Sequence, residues 1–308
     1  MARQNLAVLL GAVLDPPNII KTDDGKMQYG FVSINVVRAD RDVGDQVNYM
    51  RQDTIPLITR NPAVLREMAS WQPYDIVDVK GVLSQAVIGK TSWCPECGSK
   101  NTTPGDLVYV NPIFAMRRAH CESKDACKEY LAAWREVSNQ IFLFGVVCQK
   151  PRFVKTTTGI QYLQFPIAMN RRFRIKEDPA DKKADYIWVK AYGKNWTQPL
   201  EEDLQIGSEI YIIGCLQLRN VRRHRTCGQA YQNGKPMTLH GSPYIPNDPE
   251  KGTPCGCGQV YDWRDQTLEA VPYQGGIEYL FQVGRKTQAK EEEETDPNML
   301  DGREDWND

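Results

Sequence analysis

Five of the nine cysteines gather in the spacings of metal-binding turns, as Cys94-x-x-Cys97 and as Cys227 followed by Cys255-x-Cys257. Two thiolates so close in sequence can reach one ion, and Gly98 directly after Cys97 suits the tight turn of a zinc knuckle. Cys121 and Cys127 complete a first four-thiolate set with Cys94 and Cys97, with His120 as a substitute ligand. A second set takes Cys227, Cys255 and Cys257. Its fourth ligand is His224 or His240, and His224, three residues before Cys227, is the better placed. "CGQAY" at Cys227 and "CGQVY" at Cys257 are near copies, as the two arms of a hairpin would be. The first set predicts one structural zinc, and the later cysteines offer a second site. Catalytic zinc needs an open coordination position and a general base. No His-Glu-x-x-His run occurs, and thiolates outnumber the three histidines. Cys148 and Cys215 lie in apolar strands and read as core.

The elements that position these residues are written twice. "NLAVLLGAVLDPPNIIKTDDGKMQYGFVSINVVRA" from Asn5 is matched by "NQIFLFGVVCQKPRFVKTTTGIQYLQFPIAMNRRF" from Asn139. Both open with an apolar strand reaching a glycine, Gly11 or Gly145. Both then carry Lys-Thr-x-x-Gly, a Gln-Tyr pair and an alternating strand ending in arginine. Each half continues with a strand (Thr54 to Leu57; Tyr186 to Tyr192) and a helical segment (Asn61 to Gln72; Asn195 to Leu204). A strand through Gly81 or Gly214 closes each unit. Asn61 suits a helix cap and Pro62 an early helical position. This order predicts a mainly β chain of two tandem oligonucleotide-binding (OB) Greek-key barrels with zinc-ribbon-like insertions. The first barrel spans 1–136 with its ribbon near 91–127. The second spans 137–288 with a Cys-rich insertion near 224–258, and 289–308 form a disordered acidic tail.

Within roughly 138–285 three motifs stand at matching distances: Asn139 to Gly145, Trp188 to Lys194 with its Trp-x-x-x-x-x-Lys spacing, and Gly207 to Arg219. In these the second half resembles the bacterial single-stranded DNA-binding protein family; the first half is more divergent and is recognised through the duplication. The resemblance implies a non-enzymatic, sequence-tolerant binder of single-stranded DNA in replication, recombination or repair. It also implies that a homodimer would present four barrels.

Such proteins hold a strand with basic side chains on phosphates and aromatic rings under bases. Arg171, Arg172 and Arg174 follow one strand of the second half. Arg219, Arg222, Arg223 and Arg225 follow another, with no acid from Ile210 until Asp248. Phe173, Tyr186, Trp188 and Trp196 lie among them, and Trp188 matches a tryptophan that the family uses for stacking. Strand alternation puts Tyr186, Trp188 and Lys190 on one face. Tyr29, Phe31, Arg38 and Arg51 hold corresponding places in the first half, but Asp40, Asp42 and Asp45 lie nearby, so the second barrel is expected to bind more tightly.

The last 18 residues carry nine acids and one base, a net −8, so the formal −1 of the chain leaves +7 on the other 290. A basic body with an acidic tail suits a polyanion binder that also presents an anionic peptide. Asp305, Trp306 and Asp308 are the candidate contacts of that tail with replication, repair or mobile-element proteins. The tail lacks the family's hydrophobic tip, since Trp306 sits before Asn307-Asp308. No run approaches the roughly 20 apolar residues of a membrane helix. Clustered thiols and no secretion signal point to a reducing, cytoplasmic setting near the nucleoid. Two other readings stay open: an RNA-binding OB protein, and an accessory scaffold of a DNA-processing complex.

Overall fold

The computed structural model describes residues 5–38, 51–155, 159–170, 184–233, 235–248, 250 and 252–283. The first half is built of β1 (Asn5–Val13), β2 (Asn18–Lys21), β3 (Met27–Arg38), β4 (Arg51–Thr59), α1 (Pro62–Met68), β5 (Asp75–Trp93) and β6 (Lys100–His120). Two short helices, α2 (Lys124–Ala133) and α3 (Arg135–Ser138), lead into the second. The same plan follows there in β7 (Asn139–Val147), β8 (Arg152–Lys155), β9 (Gln161–Asn170), β10 (Ala184–Tyr192), α4 (Lys194–Asp203) and β11 (Glu209–Thr226). After β11 come four two-residue strands, β12 (Tyr231–Gln232), β13 (Lys235–Pro236), β14 (Thr238–Leu239) and β15 (Ser242–Pro243), and then β16 (Val260–Phe281).

Alternation sets the inner faces. In β3 the side chains of Val32, Ile34 and Val36 are buried while those between them reach outward, and β4 buries Ile55 and Leu57 in the same way. β1 pairs with both β3 and β5, and β4 lies parallel to β6 at Leu57 and Val110, which closes a five-stranded barrel β1-β3-β4-β6-β5. The second half closes identically as β7-β9-β10-β16-β11, with its parallel contact at Val189 and Ala270. This is the OB Greek-key order, as the sequence predicts. α1 starts where expected: the Asn61 side chain accepts from the Ala63 N–H at 3.0 Å, Pro62 follows, and Val64, Leu65 and Met68 are buried. α4 buries Leu200 at the matching place.

The barrels share one sheet. β1 runs antiparallel to β7, pairing Asn5 with Leu143, Ala7 with Ile141 and Leu9 with Asn139. Under the duplication Ala7 corresponds to Ile141, so this register is centred on equivalent residues. The pairing is that of a two-fold dimer, made within a single chain. One continuous apolar cluster runs through both interiors, from Leu9, Ile34 and Leu57 to Leu163, Phe165 and Ile212.

Beyond each barrel the last hairpin continues as a long arm. The β5–β6 ladder extends to Trp93 opposite Lys100, and the β11–β16 ladder to Thr226 opposite Val260. Both bend at register shifts, beside Gly81 in one and before Gly214 in the other. At Gly214 a Cβ would strike the Val271 carbonyl, so the bend requires glycine.

Candidate nucleic-acid interface

Between the second barrel and the two arms lies a groove of about 880 Å³. Its floor is β10, where Tyr186, Trp188 and Lys190 face it together, as alternation requires. One wall is the β11–β16 ladder. Arg219, Val221 and Arg223 stand there at every second residue, opposite Thr267, Asp265 and Trp263. The opposite wall comes from the first half, through Gln85, Lys90 and the Thr103–Asp106 stretch of its arm. Arg152 adds a further cation at the rim. Tyr186 is 53% exposed and Trp188 37%, enough for a ring to receive a base on one face. Five cations (Lys90, Arg152, Lys190, Arg219, Arg223) line the groove against three acids (Asp106, Asp265, Glu269).

The groove is held across the halves. The Gln85 N–H donates to Asp185 at 2.8 Å, and Lys90 Nζ reaches Asp265 at 2.6 Å. Lys190, almost fully buried, pairs with Glu269 at 2.8 Å and sits 4.7 Å over the Tyr162 ring, beside Arg219. Burial pushes the Glu269 carboxyl up to about 7 against the lowering pull of Arg219, and its Oε2 has no hydrogen-bond partner among the described residues.

Residues 138–233 match the model of the single-strand binding protein family. The match covers β7 to β12 of the second barrel and stops before its closing strand β16. Many solved structures resemble the chain. The wild-type single-stranded DNA binding protein from Thermus aquaticus aligns at 17% identity and TM-score 0.45, over 71% of this chain and 87% of that one. A deletion mutant of the same protein aligns at 18% and 0.44, over 71% and 89%. The Plasmodium falciparum SSB, solved in complex with ssDNA, aligns at 18% and 0.28, over 46% and 95%. No curated protein sequence matches the chain.

Within the second barrel the structure sorts the expected contacts. Tyr186, Trp188, Lys190, Arg219 and Arg223 meet in the groove. Trp196 does not: its indole N–H donates to the Tyr192 carbonyl at 2.5 Å and its ring packs on the core. Arg222 points to the other face of β11 and pairs with Asp262, because alternation separates it from Arg219 and Arg223. Arg225 is buried in the neighbouring arm, where it donates to Ser92 Oγ at 2.5 Å and Asn101 O at 2.8 Å and lies 4.3 Å over the Trp263 ring. The arginine run is free of acids along the chain but not across the ladder, where β16 sets Asp262, Asp265 and Glu269 against it. No local pattern in the sequence marks Trp263, Lys90 and Arg152. Only the β11–β16 register and the approach of the first arm bring them in.

In the first barrel Arg38 is tied to Asp53, and the Tyr29 ring lies under Arg60 at 5.6 Å. Phe31 and Arg51 are exposed, away from the groove. Arg171, Arg172, Phe173 and Arg174 fall outside the described residues, as do Asp305, Trp306 and Asp308.

The cysteines regroup. Cys94, Cys97, Cys227 and Cys257 bring their sulfurs within 4.8 Å of one another, a group that could hold a metal ion. The two expected sets, each confined to one half, are not what the fold brings together. Cys121 and Cys127 lie at the opposite end of the 21-residue β6 from Cys94 and Cys97, which places them roughly 60 Å apart along the strand. They pack instead with Tyr74 in a small apolar cluster, and burial, then Cys121, pushes the Cys127 thiol up to about 12. Cys255 is exposed and outside the group, and His224 is paired with Asp262.

Proposed function

We propose that this chain binds single-stranded DNA without cutting or modifying it, along the groove between the second barrel and the two arms. One observation carries the reading: Tyr186, Trp188 and Trp263 line the same groove as Lys90, Arg152, Arg219 and Arg223, in a domain of the single-strand binding family. Rings receive bases of any sequence, and the cations track phosphates, so the binding is sequence-tolerant. The first barrel contributes chiefly its arm, and the second carries most of the affinity.

The process served is DNA replication, recombination or repair, in the cytoplasm at the nucleoid. The acidic tail offers the docking peptide for partner enzymes, and a homodimer would present four barrels. The cysteine group serves as a structural zinc site, not a catalytic one, because four thiolates leave no open coordination position.

The test is quenching of tryptophan fluorescence on titration with a dT homopolymer at several salt concentrations, with duplex DNA and a U homopolymer alongside. Quenching by dT that weakens as salt rises supports the reading. Equal affinity for the U homopolymer would favour an RNA binder, and no binding at low salt would leave a protein scaffold.

A further inference from the structure

We propose that Cys94, Cys97, Cys227 and Cys257 hold one zinc ion jointly, and that this ion is a clasp between the two arms that fixes the width of the groove. The groove's role rests on the reading above; the metal site does not.

Each half supplies two of the four sulfurs, and the close approaches cross between them: Cys94 to Cys257 at 3.7 Å and Cys97 to Cys227 at 3.5 Å. A tetrahedral ion with sulfur ligands at about 2.3 Å requires sulfurs about 3.8 Å apart, so the spacing suits an ion with little movement. An all-thiolate set favours zinc over magnesium, calcium or manganese.

The surroundings are those of a built site. The Gly98 N–H donates to the Cys94 carbonyl and the Gly258 N–H to the Cys227 carbonyl, so each arm turns back on itself around its ligands. Between Cys255 and Cys257 only glycine fits, because a Cβ on Gly256 would lie 2.7 Å from the Cys227 sulfur. Asn101, from the first arm, donates through Nδ2 to the Cys227 sulfur at 3.6 Å and accepts from the Gly228 N–H at 2.6 Å. Such second-layer donors offset thiolate charge and orient ligands.

Without an ion little apolar material holds the tips together: Cys94, Cys227 and Tyr261 are the buried members of their cluster, with Trp263 against it. From the sulfurs the linkage runs directly to the groove. Arg225, two residues before Cys227, is bound to the Lys90 carbonyl and to Thr103 Oγ1, and Lys90 and Thr103 are both groove residues. Losing the ion frees the tips and lets that wall move away from Trp188.

The experiment is metal analysis of the full chain and of its cobalt-substituted form, followed by chelation. We expect one zinc per chain and the intense thiolate-to-cobalt absorption of a tetrahedral four-sulfur site. Cys94→Ser and Cys227→Ser, from opposite arms, should each abolish it, while Cys121→Ser and Cys255→Ser should keep it. Chelation should expose residues 93–103 and 226–259 to protease with both barrels intact. It should also weaken dT binding at least about fivefold, the scale of one stacked base, with recovery on adding zinc. Two zinc ions per chain, none, or a full zinc in Cys227→Ser would overturn the shared site. One zinc whose removal leaves both arm protection and affinity unchanged would overturn the clasp. A chain that holds one zinc through both arms yet binds no single strand would keep the site and sink the function instead.

Discussion

The side chain of Asn139 brackets the peptide of Leu216: its Nδ2 donates to the Leu216 carbonyl at 2.8 Å and its Oδ1 accepts from the Leu216 N–H at 2.9 Å. Asn5 does the same to Leu83, at 3.0 and 2.9 Å. The asparagine opening each repeat is thus a clip that fixes the first strand of a barrel against the strand that becomes its arm. Asn139→Ala should cost about 2–4 kcal/mol, because it leaves a buried donor and acceptor unmade. Asn5→Ala should cost less, its site being only partly buried. Urea denaturation of both variants measures the difference, and equal costs would contradict it.

Trp188 and Trp196 are expected to separate cleanly. Trp188→Ala should weaken dT binding about 5- to 150-fold, the ~1–3 kcal/mol of one stacked base. Trp196→Ala should leave affinity within about twofold and lower the melting temperature, since its ring lies on the core. Affinity and melting curves on the two proteins decide it.

Arg222 and Arg223 are neighbours in sequence on opposite faces of β11. Arg223→Ala should reduce the slope of log affinity against log salt by about 0.7, the value of one phosphate contact on a single strand. Arg222→Ala should not change that slope. If both variants shift it alike, the single groove is wrong.

Binding should depend on pH through Glu269, whose carboxyl loses its proton near 7. As pH falls through that value the acid becomes neutral, and the positive charge of Lys190 and Arg219 beside the groove is no longer offset. Affinity should then rise about fivefold, on the scale of ~1 kcal/mol for one charge pair in a wet groove. The Tyr192 phenol, held at about 12 by burial and by Glu269, stays neutral throughout. For stability the sign is the usual one for a raised acid: the folded chain holds the proton more tightly. The contribution is therefore full below about 4.5 and is lost as pH rises through about 7. Glu269→Gln should bind as tightly at pH 8 as the parent does at pH 6, and titrations at both values test this.

Much of this was legible in the sequence for a physical reason. A duplication shows every strand twice, and alternation in "YIWVK" assigns Tyr186, Trp188 and Lys190 to one face without coordinates. The asparagine cap at Asn61 was likewise local. What failed was long-range. Arg225 reads in sequence as a phosphate contact, but its side chain lies against the other arm; nearness in the chain groups the cysteines by halves, although the fold sets Cys97 beside Cys227, 130 residues away. Strand registers and arm contacts follow from packing between halves, which no local pattern encodes.

The pairing of β1 with β7 also bears on how this molecule could change over generations. In a dimer of identical copies a substitution strikes both members at once, so neither can trade its groove for another duty. Here the two members are encoded separately, and one could give up nucleic acid and keep only its arm while the other stayed competent. The same pairing spends the edges of β1 and β7 on each other. Either half produced alone would carry a raw strand edge, prone to pair with a copy of itself.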